Sequence, residues 1–167
     1  VELDGKHLLM LGAGGAARAI AFTLARNVKH CTITLLDIDE GMLQGLAADL
    51  RAGTQACIEY GALTASRLEQ AMAGADIIIN CTPIGMHPHE GVSLIPVELF
   101  KGGQVVFDVV YTPLETKLLS DARRCGLVTV SGVEMFINQA VMQFEHFTGV
   151  AAPVEVMRRV VMEKLVP

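Results

Sequence analysis

Basic charge is in short supply in this chain. Lys and Arg supply 13 of its 167 residues against 18 Asp and Glu, for a net charge of −5. A broad nucleic-acid or anionic-membrane surface needs clustered cations, so the balance argues against both. The four cysteines, Cys31, Cys57, Cys81 and Cys125, contain no C-x-x-C pair. Neither a zinc site nor a disulfide framework is indicated, and all four are expected as buried reduced thiols. The N-terminus carries no basic-then-apolar signal, and the apolar stretch over residues 8–25 is broken by glycines and by Arg18, which leaves no candidate membrane span. Repeats and low-complexity linkers are missing too. The pair His87 and His89 has no carboxylate or thiol pattern around it that would complete a metal site. By elimination the chain reads as a cytoplasmic, non-membrane protein acting on small molecules, with no metal and no nucleic-acid partner.

What is present is apolar mass in a regular order. Hydrophobic residues make up 51% of the chain and mean hydropathy is +0.44, high enough that some apolar surface is expected to meet a partner. The length suits one domain with a real core. Short β-rich runs alternate with helical patterns: HLLML then AARAIAFTLARN, TITLLD then EGMLQGLAADLRA, ACIEY then ASRLEQAMA, followed by ADIIINC, QVVFDVV and LVTV. Such alternation predicts a doubly wound α/β fold, about six mostly parallel strands with helices on both faces. In the first helix Ala17, Ile20, Ala21 and Leu24 fall on one stripe. The proline-bearing segment after ADIIINC reads as a loop with one short helix near residues 97–100, and two further helices are expected over 133–147 and 153–165. No helix is assigned between QVVFDVV and LVTV.

The run GAGGAA follows the first predicted strand and opens the first predicted helix. It sets Gly12 and Gly14 at the first two positions of a dinucleotide fingerprint and Ala17 at the third. Gly12 permits a tight turn, Gly14 lets backbone approach a diphosphate, and the helix start offers unpaired N–H groups. Asp37 ends the second strand, where a carboxylate accepts hydrogen bonds from the adenosine ribose. A 2′-phosphate there would meet like charge, a repulsion of about 1 kcal/mol in bulk water and about 4 kcal/mol at an effective dielectric of 20. The nearest downstream cation is Arg51. NAD is therefore expected over NADP, in a Rossmann-type domain. Capping of the second helix is the competing role for Asp37, although Asp39 is the better cap candidate.

Four stretches, taken together and in order, resemble the shikimate and quinate dehydrogenase family: GAGGAARAI from Gly12, NCTPIGM from Asn80, DVVYTPLETKLL from Asp108 and SGVEMFINQA from Ser131. The resemblance covers nearly the whole chain and corresponds to the family's C-terminal NAD(P)-binding domain. It implies cofactor contacts from Gly12, Ala13, Gly14, Gly15 and Ala16 in the first stretch. Asn80, Cys81, Thr82 and Pro83 are implied near the nicotinamide, more through backbone than side chain, joined by Val109, by Gly132 through its backbone, and by Met135. Tyr111 and Gln139 are implied as substrate contacts. Asp108, at a strand end, is expected to hold the following turn rather than act as a base.

The helix over 133–147 bears two faces that are not simply polar. Ile137, Ala140, Val141, Phe144 and Thr148 make a core stripe, Met135, Gln139, Met142 and His146 lie opposite, and Glu134, Asn138 and Glu145 fill a solvated arc between them. One face is expected on the sheet and the other toward a cleft or another domain. In the family, a separate N-terminal domain binds most of the substrate and brings the Lys and Asp that move the hydroxyl proton. VELDGK is only a lead-in, so residues 1–167 are expected to form a single dinucleotide-binding domain, the C-terminal part of a longer enzyme and inactive alone. No catalytic residue is assigned to it. A stand-alone NAD-binding module without turnover is the alternative; oligomeric state and the choice among shikimate, quinate and an amino analogue are not fixed by these residues.

Overall fold

The computed structural model describes residues 3–165. Six strands pair entirely in parallel, in the order β3-β2-β1-β4-β5-β6: β1 (His7–Leu11), β2 (Thr32–Asp37), β3 (Cys57–Ala62), β4 (Ile77–Asn80), β5 (Val105–Asp108) and β6 (Val128–Ser131). Between them run α1 (Gly15–Asn27), α2 (Glu40–Gly53), α3 (Ala65–Gly74) and α4 (Lys117–Arg124), and α5 (Gly132–Thr148) and α6 (Val154–Leu165) follow the last strand. This is the doubly wound Rossmann order, and its strand sequence reverses between β1 and β4. A crevice opens there at the carboxyl ends of the strands.

Period-two alternation builds both layers at once. Leu8 and Met10 point into one apolar cluster with Ile33, Leu35 and Ile79, covered by Ala17, Ala21 and Ala25 of α1 and Leu43, Leu46 and Leu50 of α2. Leu9 and Leu11 point the other way, joining Ile78 and Val106 under Leu68 and Met72 of α3 and Leu118, Leu119 and Ala122 of α4. A strand covered on both faces has no use for polar residues, which is why HLLML and IIIN read as continuous apolar runs. Small alanines along α1 let it sit close on the sheet, and its Ile20 and Leu24 are half-buried at the cluster's edge.

Several expectations need correction. The helix α4 was not anticipated between β5 and β6; its two turns bury Leu118, Leu119 and Ala122 and make the crossover that parallel neighbours require. β5 stops at Asp108 rather than running on, because the Asp108 side chain accepts the Val110 N–H and turns the chain. The short helix near residue 97 is a 3-10 turn, Val97–Leu99. Pro153 precedes α6 instead of lying in its first turn, and its carbonyl accepts the Met157 N–H. Cys57 and Cys125 are exposed; Cys31 is buried and Cys81 half-buried, and all four are free thiols. Of the VELDGK lead-in, residues 1 and 2 lie outside the described residues, and Leu3 packs against the β1 side of the core.

Candidate functional site

At the β1/β4 crevice a cleft of about 350 Å³ is lined by Gly12, Gly14, Asp37, Cys81, Thr82 and Pro83, all anticipated, and by Ile38, Met42, Leu63, Ile84 and Leu94. Gly12 has φ +102°, and a Cβ there would lie 3.0 Å from the Cys81 carbonyl carbon and oxygen. Its N–H donates to Leu36 O at 2.8 Å, and Cys81 N–H donates to Leu11 O at 2.7 Å. The glycine is thus demanded by the fold where two strand ends meet. Gly14 is different. A Cβ there would find only Met42 Cε, at 3.9 Å, and one at Gly15 would find nothing within 4 Å. Packing gives no reason for these two to lack side chains, whereas a diphosphate lying against the backbone does.

The start of α1 fits that reading. Of helices α1 to α5, only α1 has no side-chain N-cap and no such bond from its cap residue, Gly14; the others are capped by Asp39, Thr64, Thr116 and Ser131. Its first turn also holds no acidic residue. Unpaired N–H groups and an uncompensated helix dipole favour an anion. Ala13 is buried, and Ala16 is exposed beside Gly15.

Asp37 sits at the tip of β2 with two backbone partners. Its Oδ2 accepts the Ala13 N–H at 2.6 Å and its Oδ1 accepts the Asp39 N–H at 3.0 Å, while Asp39 Oδ1 caps α2 through Met42 N at 2.9 Å. Asp39 is the helix cap, as expected of it, and Asp37 ties the glycine-rich loop to β2. Ile38, 85% exposed beside the cleft, stands next to the carboxylate. Arg51 is no counter-charge to it: its guanidinium donates to Ile58 O at 2.6 Å and lies over the Tyr60 ring, whereas Asp37 pairs in register with Ala62, four residues further along β3.

On the far wall, the Asn80 side chain faces inward. Its amide donates to Asp108 Oδ1 at 2.9 Å and to Ile84 O at 3.1 Å, and its Oδ1 accepts from Thr82 N at 3.1 Å and Thr82 Oγ1 at 2.7 Å. What the NCTP stretch offers the cleft is therefore Cys81, Thr82 and Pro83, not the Asn80 side chain. Burial, with the Asp108 carboxylate nearby, pushes the Cys81 thiol up to about 12, which keeps it protonated and unreactive at neutral pH. Val109 donates its N–H to Asn80 O at 3.0 Å. A Cβ at Gly132 would fall on the Val109 carbonyl, so close packing alone accounts for that glycine.

Tyr111, 39% exposed, stacks on Phe136 of α5 with ring centroids 4.7 Å apart. Gln139 is exposed one helical turn beyond Phe136, so both anticipated substrate contacts lie along the same side of α5. Met135 is half-buried there. The stripe from Ile137 through Ala140, Val141 and Phe144 is covered to varying degrees, but Thr148 is exposed and its hydroxyl turns back to Phe144 O at 2.7 Å. Glu134 is not a free solvated group: Arg158 of α6 pairs with it and holds its carboxyl below the usual range. His146 is exposed, as are Met142 and Phe147. His87 lies 3.3 Å from Glu90. Among the described residues there is no cluster of three or more His, Cys, Asp or Glu suited to a metal ion, and no helix is long and apolar enough to cross a membrane.

Sequence reasoning did not single out Ile38, Met42, Leu63, Ile84 or Leu94. The available signal was an isoleucine between two acids, DID, at a strand end where an apolar side chain has no core to enter.

Residues 132–162 match the family model for the shikimate 5′-dehydrogenase C-terminal domain. Over 165 residues, 99% of this chain, the sequence is 40% identical to a shikimate dehydrogenase (NADP(+)) of Methanosarcina mazei. Over nearly its whole length the chain matches the C-terminal part of a shikimate dehydrogenase. It spans 58% of the length of that relative. Residues 8–89 also match the model for the saccharopine dehydrogenase NADP binding domain, a span that holds the cleft lining from Gly12 to Ile84. Among solved structures, the shikimate 5-dehydrogenase of Listeria monocytogenes in complex with shikimate and NAD superposes with a TM-score of 0.87 at 28% identity, covering 95% of this chain and 56% of the other. A ligand-free 5-ketofructose reductase of Gluconobacter superposes with a TM-score of 0.84 at 31% identity over 98% of this chain and 58% of its own. The shikimate dehydrogenase fold is thus shared by proteins whose names give different substrates.

Proposed function

We propose that this chain is the dinucleotide-binding part of an enzyme that transfers a hydride between nicotinamide and the ring carbon bearing a secondary hydroxyl of shikimate or quinate. The observation that carries the reading is the joining of Gly12, Gly14 and Asp37 in one cleft at the strand-order reversal, with the uncapped start of α1 beside them. Gly14, Gly15 and the first turn of α1, with Ala13 and Ala16 beside them, would hold the diphosphate, and Asp37 would accept hydrogen bonds from the ribose. The backbone of Asn80, Cys81, Thr82 and Pro83, with Val109, Gly132 and Met135, would border the nicotinamide. Bound there, the cofactor supplies the hydride chemistry. Tyr111 and Gln139 orient the substrate ring from this side through hydrogen bonds to its hydroxyls. The groups that move the hydroxyl proton are assigned to the remainder of a longer polypeptide.

NAD is the proposed cofactor. A 2′-phosphate would lie against the Asp37 carboxylate and Ile38, and Arg51 is engaged elsewhere. The Methanosarcina relative is named for NADP(+) and the Listeria structure holds NAD, so the choice is put to experiment. The full-length enzyme is assayed with shikimate, quinate and 5-ketofructose, each with both cofactors. Turnover of shikimate or quinate with a higher kcat/KM for NAD is expected. Turnover confined to 5-ketofructose overturns the substrate, and preference for NADP overturns the cofactor. The 167-residue chain alone is expected to bind NAD without turnover.

A further inference from the structure

Outside the lining of the cleft lies a buried cluster of polar side chains, of which the proposed function uses only the Asn80 backbone. Asn80 ends β4 and Asp108 ends β5, and the two are partners in register. Asn80 is 3% exposed, Asp108 0% and Thr116, at the start of α4, 1%. Asp108 Oδ1 accepts from Asn80 Nδ2 at 2.9 Å and from the Val110 N–H at 3.1 Å, and Oδ2 accepts from Thr116 Oγ1 at 2.6 Å. Thr116 in turn caps α4 by accepting the Leu119 N–H at 3.3 Å. Asn80 carries the network on to Thr82 and Ile84. Among the described residues no buried side-chain polar atom is left without a partner. Three side chains therefore fasten together the loop after β4, the turn after β5 and the first turn of α4.

The first two of these segments are the ones the proposed chemistry must align. Thr82 borders the cofactor cleft, and Tyr111 directly follows Val110. Fold stability alone is a poor reason for this construction, because an apolar cluster of the same volume would avoid the cost of burying a carboxylate. A fully satisfied buried network does fix one geometry. Burial raises the Asp108 carboxyl above its ordinary value, and the donors from Thr116, Val110 and Asn80 oppose that shift. We infer that Asp108, with Asn80 and Thr116, is a positioning residue that sets the separation between the nicotinamide-side backbone at Thr82 and the substrate-side Tyr111, and hence the hydride-transfer distance. The inference rests on the function proposed above.

The test uses the full-length enzyme. Thr116→Val removes the donor to Asp108 Oδ2 with little change of shape, and Thr116→Ser restores it. Asp108→Ala removes the hub, and the Thr116 pair decides the matter if that variant does not fold. Asp121→Asn is the control: a buried acid on the same helix whose partners are Lys117 and Arg124, outside the network. Thr116→Val and Asp108→Ala are expected to lower kcat about a hundredfold, the scale of a small misplacement of reacting atoms. The NAD dissociation constant stays unchanged and the deuterium isotope effect on kcat rises as hydride transfer becomes slower than release. Thr116→Ser recovers kcat, and Asp121→Asn lowers the Tm without lowering kcat. Normal kcat in Thr116→Val, or an equal kcat loss in Asp121→Asn at the same loss of Tm, overturns the positioning role and leaves the proposed function standing. A wild-type enzyme that neither binds NAD nor turns over overturns both.

Discussion

The Ala13 N–H donates to Asp37 Oδ2 at 2.6 Å, so the acid at the end of β2 also fastens the glycine-rich loop. On the proposed function one carboxylate then has two tasks, holding the loop in shape and meeting the ribose. Asp37→Ala loses both. With a charge-assisted hydrogen bond contributing about 1.5–3 kcal/mol, NAD affinity is expected to fall by about tenfold or more. NADP affinity should fall less, because the loss of repulsion offsets the looser loop. Calorimetry with both cofactors checks this; equal losses would remove Asp37 from cofactor choice.

Gly12 is held by its backbone conformation and by Cys81. Gly12→Ala places a Cβ 3.0 Å from the Cys81 carbonyl at a φ of +102°, and strain of this kind costs about 1–3 kcal/mol. A lowered midpoint in chemical denaturation is expected. A variant as stable as wild type would show that the β1/β4 crevice yields more readily than the geometry implies.

Asp108 gives the fold a pH dependence of definite sign. Burial raises its folded carboxyl value, so the folded state binds the proton more tightly than the unfolded chain. The associated stability is fully present below the ordinary carboxylate value and is lost as pH rises through the raised one. Asp108→Asn removes this proton. Wild type should therefore gain on the variant as pH falls from neutral into the carboxylate range, measured as the difference in unfolding free energy at each pH. A constant difference would mean that the carboxyl titrates at its ordinary value.

Periodicity made the strands and the long helices legible, because HLLML and the alanine stripe of α1 satisfy both sides of a covered sheet. It did not reveal α4. KLLSDARR is only two turns long and carries four charged residues, yet parallel pairing of β5 with β6 demands a crossover, and that constraint was the usable signal. The same limit applies to the site. The GAGGAA run located the loop and Asp37, but the inward turn of Asn80 depends on its register with Asp108, which no local pattern encodes. Thr148 kept the helical spacing of a core residue, yet it is exposed in the last turn of α5 and its hydroxyl bonds back to Phe144 O. Ile38 was not singled out because its role depends on the cleft beside it.

The central claim, that a diphosphate lies against the backbone at Gly14, is tested most directly by NAD titration of Gly14→Ala beside wild type, with Tm recorded for both. The nearest atom to the new Cβ is Met42 Cε at 3.9 Å, so the fold should accept it. Unchanged Tm with NAD binding weakened tenfold or more, about 1.4 kcal/mol, is the predicted result. Equal NAD affinity in the two proteins would contradict the account.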